Sequence, residues 1–284
     1  MEEAIKKAEV LIEALPYIKR FYRKNIVIKY GGSILGEEKI RKGVLEDIVF
    51  LKFMGLRPVL VHGGGPKISE RMRSSGKKSE FVDGMRVTDE ETLVVVEEEL
   101  QKLNDIIVKE IKEAGADAIG LNGRDRKIIQ AEKKESEIDL GLVGHIANIN
   151  TDPILEELKA DSVVVILPMG RGTDKKVYNI NADEAASSIS VALKAEKLVL
   201  LTNVKGIMRN PNDPNSFLST LTTGEARALI QDNIILQGMV PKVMACIEAI
   251  EAGVKKTHII DARTPHALLL EIFTDTGIGT EIVK

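Results

Sequence analysis

Four short stretches hold residue types from which chemistry could be built. In PVLVHGGGPKISERM (58–72) three consecutive glycines, Gly63 to Gly65, join an apolar run to a segment with helical spacing. The stretch fits neither the Walker A spacing Gly-x-x-x-x-Gly-Lys-Ser/Thr nor the dinucleotide fingerprint Gly-x-Gly-x-x-Gly. Bare glycine backbone lets a ligand reach main-chain N–H groups, and a following helix adds the partial positive charge of its N-terminus, so an anion is one expectation and a tight strand-to-helix turn the other. In IVIKYGGS, Lys29 sits near the end of a run otherwise apolar on both faces, with Gly31 and Gly32 immediately behind it. A lysine in a covered sheet is costly unless an anion meets it or its stem snorkels out of an edge strand. In YNINADEAASSISVAL, Asn181 with Glu184 three residues on has N-cap spacing, which places Asp183 in a first helical turn, as a catalytic carboxylate or as a simple helix-dipole charge. In GMVPKVMACIEAI, Pro241 suits a first helical position and puts Lys242 beside a helix N-terminus, where a cation opposes the dipole unless something negative is near.

The elements that must position these residues follow from periodicity. Short β-branched runs at 26–30, 58–62, 162–168, 197–202 and 257–261 alternate with 3.6-period segments at about 37–54, 66–75, 89–114, 151–159, 182–194, 222–231, 241–252 and 264–272. Several strands are apolar on both faces, as a parallel sheet covered by helices on each side requires, and open parallel sheets gather ligands at the carboxyl ends of their strands. The expected fold is therefore α/β, an αβα sandwich around a mainly parallel open sheet. The region from about 117 to 150 differs: IIQAEKK and GLVGHIANI read as shorter strands joined by polar turns, a hairpin lid or flap. Thr88 with Glu91 has capping-box spacing ahead of a long helix whose Glu97, Glu98 and Glu99 form a solvated face.

Composition narrows the function classes. The 284 residues carry 40 basic and 43 acidic side chains, a formal net charge of -3, and no basic stripe interleaved with aromatics, which argues against nucleic acid as a partner. Cys246 is the only cysteine and reads as a small buried residue; with no disulfide available, a reducing compartment fits. The first residues mix charge through their apolar positions and lack a signal-peptide core, and no run approaches the ~20 apolar residues of a membrane span, so a soluble cytoplasmic protein with no membrane partner is expected. His62, His145, His258 and His266 lack metal-ligand spacing, and His62, at a strand end, reads as structural.

In this order, VIKYGGS, VLVHGGGPKISERM, DGMRVTDEE, YNINADEAA, LTNVKGI, GMVPKV and HIIDARTPHALLLEIFTDTGIGTEI closely resemble the N-acetylglutamate kinases of the amino-acid kinase family. The resemblance covers nearly the whole chain, and it is the ordered combination that is specific. It implies the amino-acid kinase fold with an N-terminal extension helix (1–24), a lobe for acetylglutamate binding and dimerisation (25–180) and an ATP-binding lobe (181–284). It implies transfer of the γ-phosphoryl of ATP, with Mg2+, to the side-chain carboxylate of N-acetyl-L-glutamate. Carried onto this sequence, Lys29 and Lys242 stabilise the transferring group, Asp183 orients both lysines, Arg86 and Asn179 hold the substrate, Gly63 and Gly64 contact it, and Gly32 faces the phosphoryl group. The Mg2+ is expected on the nucleotide's phosphates, with no protein ligand. Asn203 stands where the pattern has aspartate, Gln237 where glycine is common, and RNPNDPNS (209–216) is longer than the usual hairpin. Val10, Leu11, Leu15, Ile18 and Phe21 give the first 24 residues an apolar stripe that wants a partner, and Pro16 suits a kinked pair of helices. The arginine-sensitive members carry such a helix, interlaced between dimers. The resemblance therefore implies homodimers assembled into a homohexamer and inhibition by L-arginine, bound near Tyr22, Lys197, His258, Glu271 and Gly277.

Overall fold

The computed structural model describes the chain except Gly32, Pro211, Asn212, Leu236, Gln237, Asp275 and Thr276; the side chains of Glu3, Ala4, Lys6, Lys7, Ala8, Val10, Leu11, Ser33 and Pro214 also lie outside the description. The expectations for Gly32 and Gln237, and for Val10 and Leu11 in the first helix's stripe, therefore fall outside the described residues. The chain runs α1 (Glu2–Phe21), β1 (Asn25–Tyr30), α2 (Glu38–Phe53), β2 (Arg57–His62), α3 (Gly65–Ser74), the hairpin β3 (Phe81–Val82) and β4 (Met85–Arg86), α4 (Glu90–Glu113) and β5 (Ala118–Asn122). It continues through β6 (Ile129–Lys133), β7 (Val143–Ile149), α5 (Asp152–Lys159), β8 (Val163–Leu167), β9 (Met169–Arg171), β10 (Val177–Ile180) and α6 (Ala182–Ala192). The last part holds β11 (Lys197–Thr202), the hairpin β12 (Ile207–Met208) and β13 (Phe217–Leu218), β14 (Thr220–Thr222), α7 (Thr223–Gln231), α8 (Val240–Glu251), β15 (Lys256–Asp261), α9 (Ala267–Phe273) and β16 (Thr280–Val283).

Eight strands form one sheet in the order β14-β16-β15-β11-β1-β2-β8-β5. Every neighbouring pair is parallel except β15 with β16. Strand alternation divides the core. Ile26, Ile28 and Tyr30 share a core with Leu45 and Ile48 of α2, Ile107 and Ile111 of α4 and Leu268 of α9. Val27 of β1, with Val59 and Val61 of β2, packs on the other face against Ala185 and Ile189 of α6 and Val243 and Ile247 of α8. This is the expected αβα sandwich, and it decides where the lysine of IVIKY goes: by period two, Lys29 shares the face of Val27 and points toward α6.

Four expectations are corrected. The region 128–149 is no free flap: β6 and β7 pair antiparallel and close with β9 and β10 into a small four-stranded barrel. The tight closure needs small residues, since a Cβ on Gly144 would lie 2.7 Å from Tyr178 Cβ and one on Gly170 2.7 Å from Ala131 Cβ. The sheet also extends to β5, just ahead of that region, where Gly120 interrupts an already short run. The N-cap of α4 is Asp89, whose carboxylate accepts from Thr92 N at 2.8 Å. Thr88 instead is buried and donates to Arg86 O at 2.6 Å. Finally, α1 runs as one helix through Pro16 and is not divided into two. No described helix is long and apolar enough to cross a membrane.

Candidate functional site

The register places both glycine turns side by side. Lys29 pairs with Val61, and Tyr30, the last residue of β1, with His62, the last of β2. Gly31 and Gly63 therefore leave the sheet together, and Gly63 N donates to Tyr30 O at 2.9 Å. A cavity of about 330 Å³ opens at these strand ends, lined among others by Lys29, Gly63, Gly64, Arg86, Asn179, Asp183 and Lys242. Of the predicted catalytic and substrate residues, all the described ones meet here.

At its floor, Asp183 lies between two ammonium groups. Asn181 caps α6 by accepting from Asp183 N at 2.8 Å and Glu184 N at 3.2 Å, which fixes Asp183 in the first turn. Glu184 does not reach back to the Asn181 amide as a capping-box partner would, because its Oε1 accepts from Ile146 N in β7. Asp183 Oδ1 is 2.9 Å from Lys29 Nζ, and Lys242 Nζ donates to Oδ2 at 3.1 Å. Pro241 follows Val240 in the first turn of α8 and delivers Lys242 to that position, so the negative group missing from the sequence is Asp183. Burial alone would raise the Asp183 pKa, but the two cations and their hydrogen bonds outweigh it and hold the carboxyl below its ordinary range. Burial pushes the Lys29 ammonium down; Asp183 opposes that and the charge of Lys242 reinforces it. Lys29 folds back over its own turn, and a Cβ on Gly31 would stand 2.7 Å from its Nζ.

The opposite wall carries Arg86, at the end of β4 and buried. Its Nη1 donates to Ser79 Oγ at 2.6 Å and Met72 Sδ at 3.2 Å, its Nη2 to Gly65 O at 3.0 Å and Ser69 Oγ at 2.8 Å, and the guanidinium sits 4.6 Å over the Phe81 ring. All these partners are neutral, and among the described residues no carboxylate pairs with Arg86. A guanidinium so held keeps an uncompensated charge and a planar fork, the shape a carboxylate would match. Asn179 Nδ2 donates to Thr88 Oγ1 at 3.2 Å. Ser69, Met72, Ser79 and Phe81 carry no sequence signal for this role, since Ser69 and Met72 lie in α3 and Ser79 and Phe81 beyond it, and they meet at Arg86 only through the fold.

Two further cavities lie apart. One of about 110 Å³ is apolar, lined by Val204, Gly206, Ile207, Met208, Ile234, Ile235 and Met239, beside the N-terminus of α8. Another, of about 140 Å³, brings Lys197, His258, Glu271 and Gly277 together with Tyr17, Arg20 and Phe21 of α1. In it His258 Nδ1 is 2.6 Å from Glu271 Oε1, while Glu271 Oε2 accepts from Ile278 N at 2.9 Å and Gly279 N at 3.2 Å. Burial would raise the Glu271 pKa, yet His258, the Ile278 amide and the charge of Lys197 hold it low. Lys197 Nζ is 5.4 Å from the Phe21 ring centre. Tyr22, expected with this group, does not line the cavity: its half-exposed ring packs on Gly55, where a Cβ would collide with it, and lies beside Arg23. Among the described residues no group of three or more His, Cys, Asp or Glu side chains could hold a metal ion. Cys246 is buried in α8 with its thiol pushed up to about 12, inert as expected.

Comparison with known proteins identifies the family. Residues 24–261 match the model of the amino acid kinase family. Acetylglutamate kinase of Halothermothrix orenii is 48% identical over 288 residues, spanning 100% of this chain and 99% of that protein. The acetylglutamate kinase of Thermoanaerobacter pseudethanolicus is 50% identical over 283 residues, 99% of this chain and 95% of its own. Among solved structures, N-acetylglutamate synthase from Neisseria gonorrhoeae complexed with coenzyme A and N-acetyl-glutamate superposes with a TM-score of 0.87 at 26% identity. That match covers 98% of this chain but only 63% of the synthase. Carbamate kinase from Giardia lamblia bound to AMP-PNP shares the fold at 19% identity, with a TM-score of 0.68 over 92% of this chain and 99% of that one. With its parallel sheet, its paired glycine turns and a family match across most of its length, the chain belongs to the amino acid kinase family.

Proposed function

We propose that the protein transfers the γ-phosphoryl group of ATP to the side-chain carboxylate of N-acetyl-L-glutamate, giving N-acetylglutamyl 5-phosphate for arginine biosynthesis. The observation that carries this reading is the Lys29–Asp183–Lys242 cluster facing, across one cavity, a buried Arg86 that pairs with no carboxylate among the described residues. The acceptor carboxylate, with a pKa near ~4, is ionised at neutral pH and needs no general base. His62 fits that absence, since burial lowers its pKa to about 4 and keeps the ring neutral.

The barrier is electrostatic. A carboxylate approaching a phosphate anion meets repulsion of about 4 kcal/mol per charge pair at ~4 Å and an effective dielectric of ~20. Lys29 and Lys242 offset charge on the group in transfer, and Asp183 holds both in place without cancelling them, one carboxylate for two cations. Arg86 binds the acceptor's α-carboxylate as a planar fork, and Asn179 and the amides of Gly63 and Gly64 orient it. The apolar cavity around Ile207 and Met239 suits a nucleoside base and lies beside α8, which carries Lys242 to the phosphates. Mg2+ arrives on those phosphates and supplies further charge neutralisation when bound.

The chain then divides into a helical extension (1–24), an acetylglutamate lobe (25–180) and a nucleotide lobe (181–284). In support, the sheet changes over between β1 and β11: every strand on one side comes from the first lobe and every strand on the other from the second. Arginine sensitivity belongs to the same proposal. L-arginine would occupy the cavity under α1, its guanidinium on Glu271, in a cytoplasmic enzyme whose dimers join through α1 into a hexamer. Exposed Ile5, Ile12 and Leu15 on α1 support such a contact. The test is a substrate panel: ADP release should depend on N-acetyl-L-glutamate and not on glutamate, aspartate or carbamate, and release with any of these in its place would reassign the acceptor.

A further inference from the structure

Behind the glycine turn lies a buried polar chain that nothing above uses. His62 is fully buried at the end of β2. Its Nδ1 is 3.2 Å from Gly63 O, and its Nε2 is 3.1 Å from Asn104 Nδ2. Asn104, buried in α4, also donates through Nδ2 to Val165 O in β8 at 3.2 Å.

These contacts fix every proton. Val165 O can only accept, so the Asn104 atom facing it is the NH2, and the second hydrogen of that NH2 points at His62 Nε2. Nε2 must then be the acceptor and Nδ1 carry the hydrogen, which it donates to Gly63 O. The amide cannot turn over without setting its oxygen against Val165 O. Its actual oxygen lies over Gly120, where a Cβ would stand 1.9 Å away, so only glycine in β5 leaves room for it. Strands β2, β8 and β5 and helix α4 thus converge on one carbonyl.

That carbonyl decides where an N–H points. Gly63 N is already spent on Tyr30 O, and Gly63 O is held by His62. In a planar trans peptide the C=O and the next N–H point opposite ways. Anchoring Gly63 O on His62 therefore turns Gly64 N–H away from the core, on the side of the cavity that Gly64 lines. Without a side chain, the Gly63–Gly64 peptide would otherwise turn easily.

We propose that His62 and Asn104 are positioning residues that aim the Gly64 amide at the acceptor substrate, and that Gly120 is glycine to make room for them. The proposal rests on the reading of Gly63–Gly64 as the acetylglutamate-binding turn. Removing a donor that orients one substrate hydrogen bond should weaken that substrate about five- to tenfold, the worth of ~1 kcal/mol.

The test has two parts. In wild-type protein labelled with 15N at its imidazoles, long-range 15N–1H correlation, assigned through the His62→Asn spectrum, should show His62 as the Nδ1–H tautomer. This reading needs no substrate and stands even if the acceptor is misidentified. An Nε2–H tautomer overturns the proposal. In kinetics, His62→Leu should raise the KM for acetylglutamate about five- to tenfold with the ATP KM within about twofold. His62→Asn, which keeps an amide N–H near the Nδ1 position, should restore most of the loss, and Asn104→Leu should shift the same KM as His62→Leu. A folded His62→Leu enzyme with an unchanged acetylglutamate KM, or with both KM values raised alike, contradicts it.

Discussion

Replacing Asp183 by asparagine keeps the size of the side chain and removes only its charge. The carboxylate now meets Lys29 Nζ at 2.9 Å and Lys242 Nζ at 3.1 Å. An asparagine oxygen can accept from one of them, but its NH2 then faces the other as a second donor, so one ammonium must leave. Each lost attraction is worth about 4 kcal/mol at ~4 Å and an effective dielectric of ~20, offset in part by the burial of the carboxylate itself. Breaking such a buried pair costs about 3–5 kcal/mol of stability. The rate should fall at least ~100-fold, about 2.7 kcal/mol of barrier, because the surviving cations no longer share one geometry. A second signature is independent of the size of that loss. Burial already lowers the Lys29 pKa and Asp183 is what opposes it, so in the variant Lys29 gives up its proton at lower pH. The active form is the ammonium, and loss of activity with rising pH should therefore set in earlier than in the wild type. Steady-state rates from pH 6 to 10 on protein shown folded by circular dichroism read both effects. A folded variant with a rate within about threefold of wild type and an unmoved alkaline limb would refute the assignment of Asp183.

Four other outcomes follow. Arg86→Lys should raise the KM for acetylglutamate at least ~10-fold and leave that for ATP nearly unchanged, because a point charge cannot replace a fork held by Ser69 and Ser79; equal shifts would mean the wrong ligand. Gly31→Ala should lower kcat about 10-fold and lower Tm with it, since the new methyl displaces the buried Lys29 ammonium from Asp183; an unchanged kcat in the purified variant counts against that position for Lys29. His62 binds no proton in the fold until about pH 4, whereas the unfolded chain binds one below about 6.5, so its contribution is complete above 6.5 and lost as pH falls through 4. Urea titrations of wild type and His62→Asn across that window should show this loss, up to about 3 kcal/mol, only in the wild type. Deleting residues 1–22 should leave active dimers that millimolar arginine no longer inhibits; a full-length enzyme that is dimeric by light scattering and indifferent to arginine would end the regulatory reading.

The long elements were legible because burial on both faces writes a strong pattern. Strand β11 lies where KLVLLT placed it, and the helices differ from their expected bounds by few residues except at the start of α9. What the sequence hid is short or held by tertiary contacts. Gly120 interrupts the apolar run of β5, and strands β9, β10, β14 and β16 have at most four residues each, too few for a period to show. Thr88 looked like a cap because its spacing to Glu91 is right, but its hydroxyl is drawn instead to Arg86 O and Asn179, and Asp89 takes the cap. At the site, Lys29 and Lys242 were readable as charges in unfavourable places, each implying a partner, whereas Asp183 in a first helical turn read equally as a helix-dipole charge. The residues that hold Arg86 were not, because serines and a methionine gain meaning only from where the chain folds them. Tyr22 adjoins the cavity only in sequence, since it follows the last residue of α1 and its ring turns to Gly55.

The central claim is that Lys29, Asp183 and Lys242 together move a phosphoryl group onto a carboxylate. Its most direct measurement traps the product: with ATP, Mg2+ and N-acetyl-L-glutamate, hydroxylamine should convert the acyl phosphate into a coloured hydroxamate in amounts equal to the ADP formed. The account predicts stoichiometric hydroxamate from the wild type, at least ~100-fold less per unit time from Lys29→Ala and from Lys242→Ala, and none when acetylglutamate is omitted. Folded lysine variants that trap hydroxamate at the wild-type rate, or ADP released with no hydroxamate at all, would contradict it.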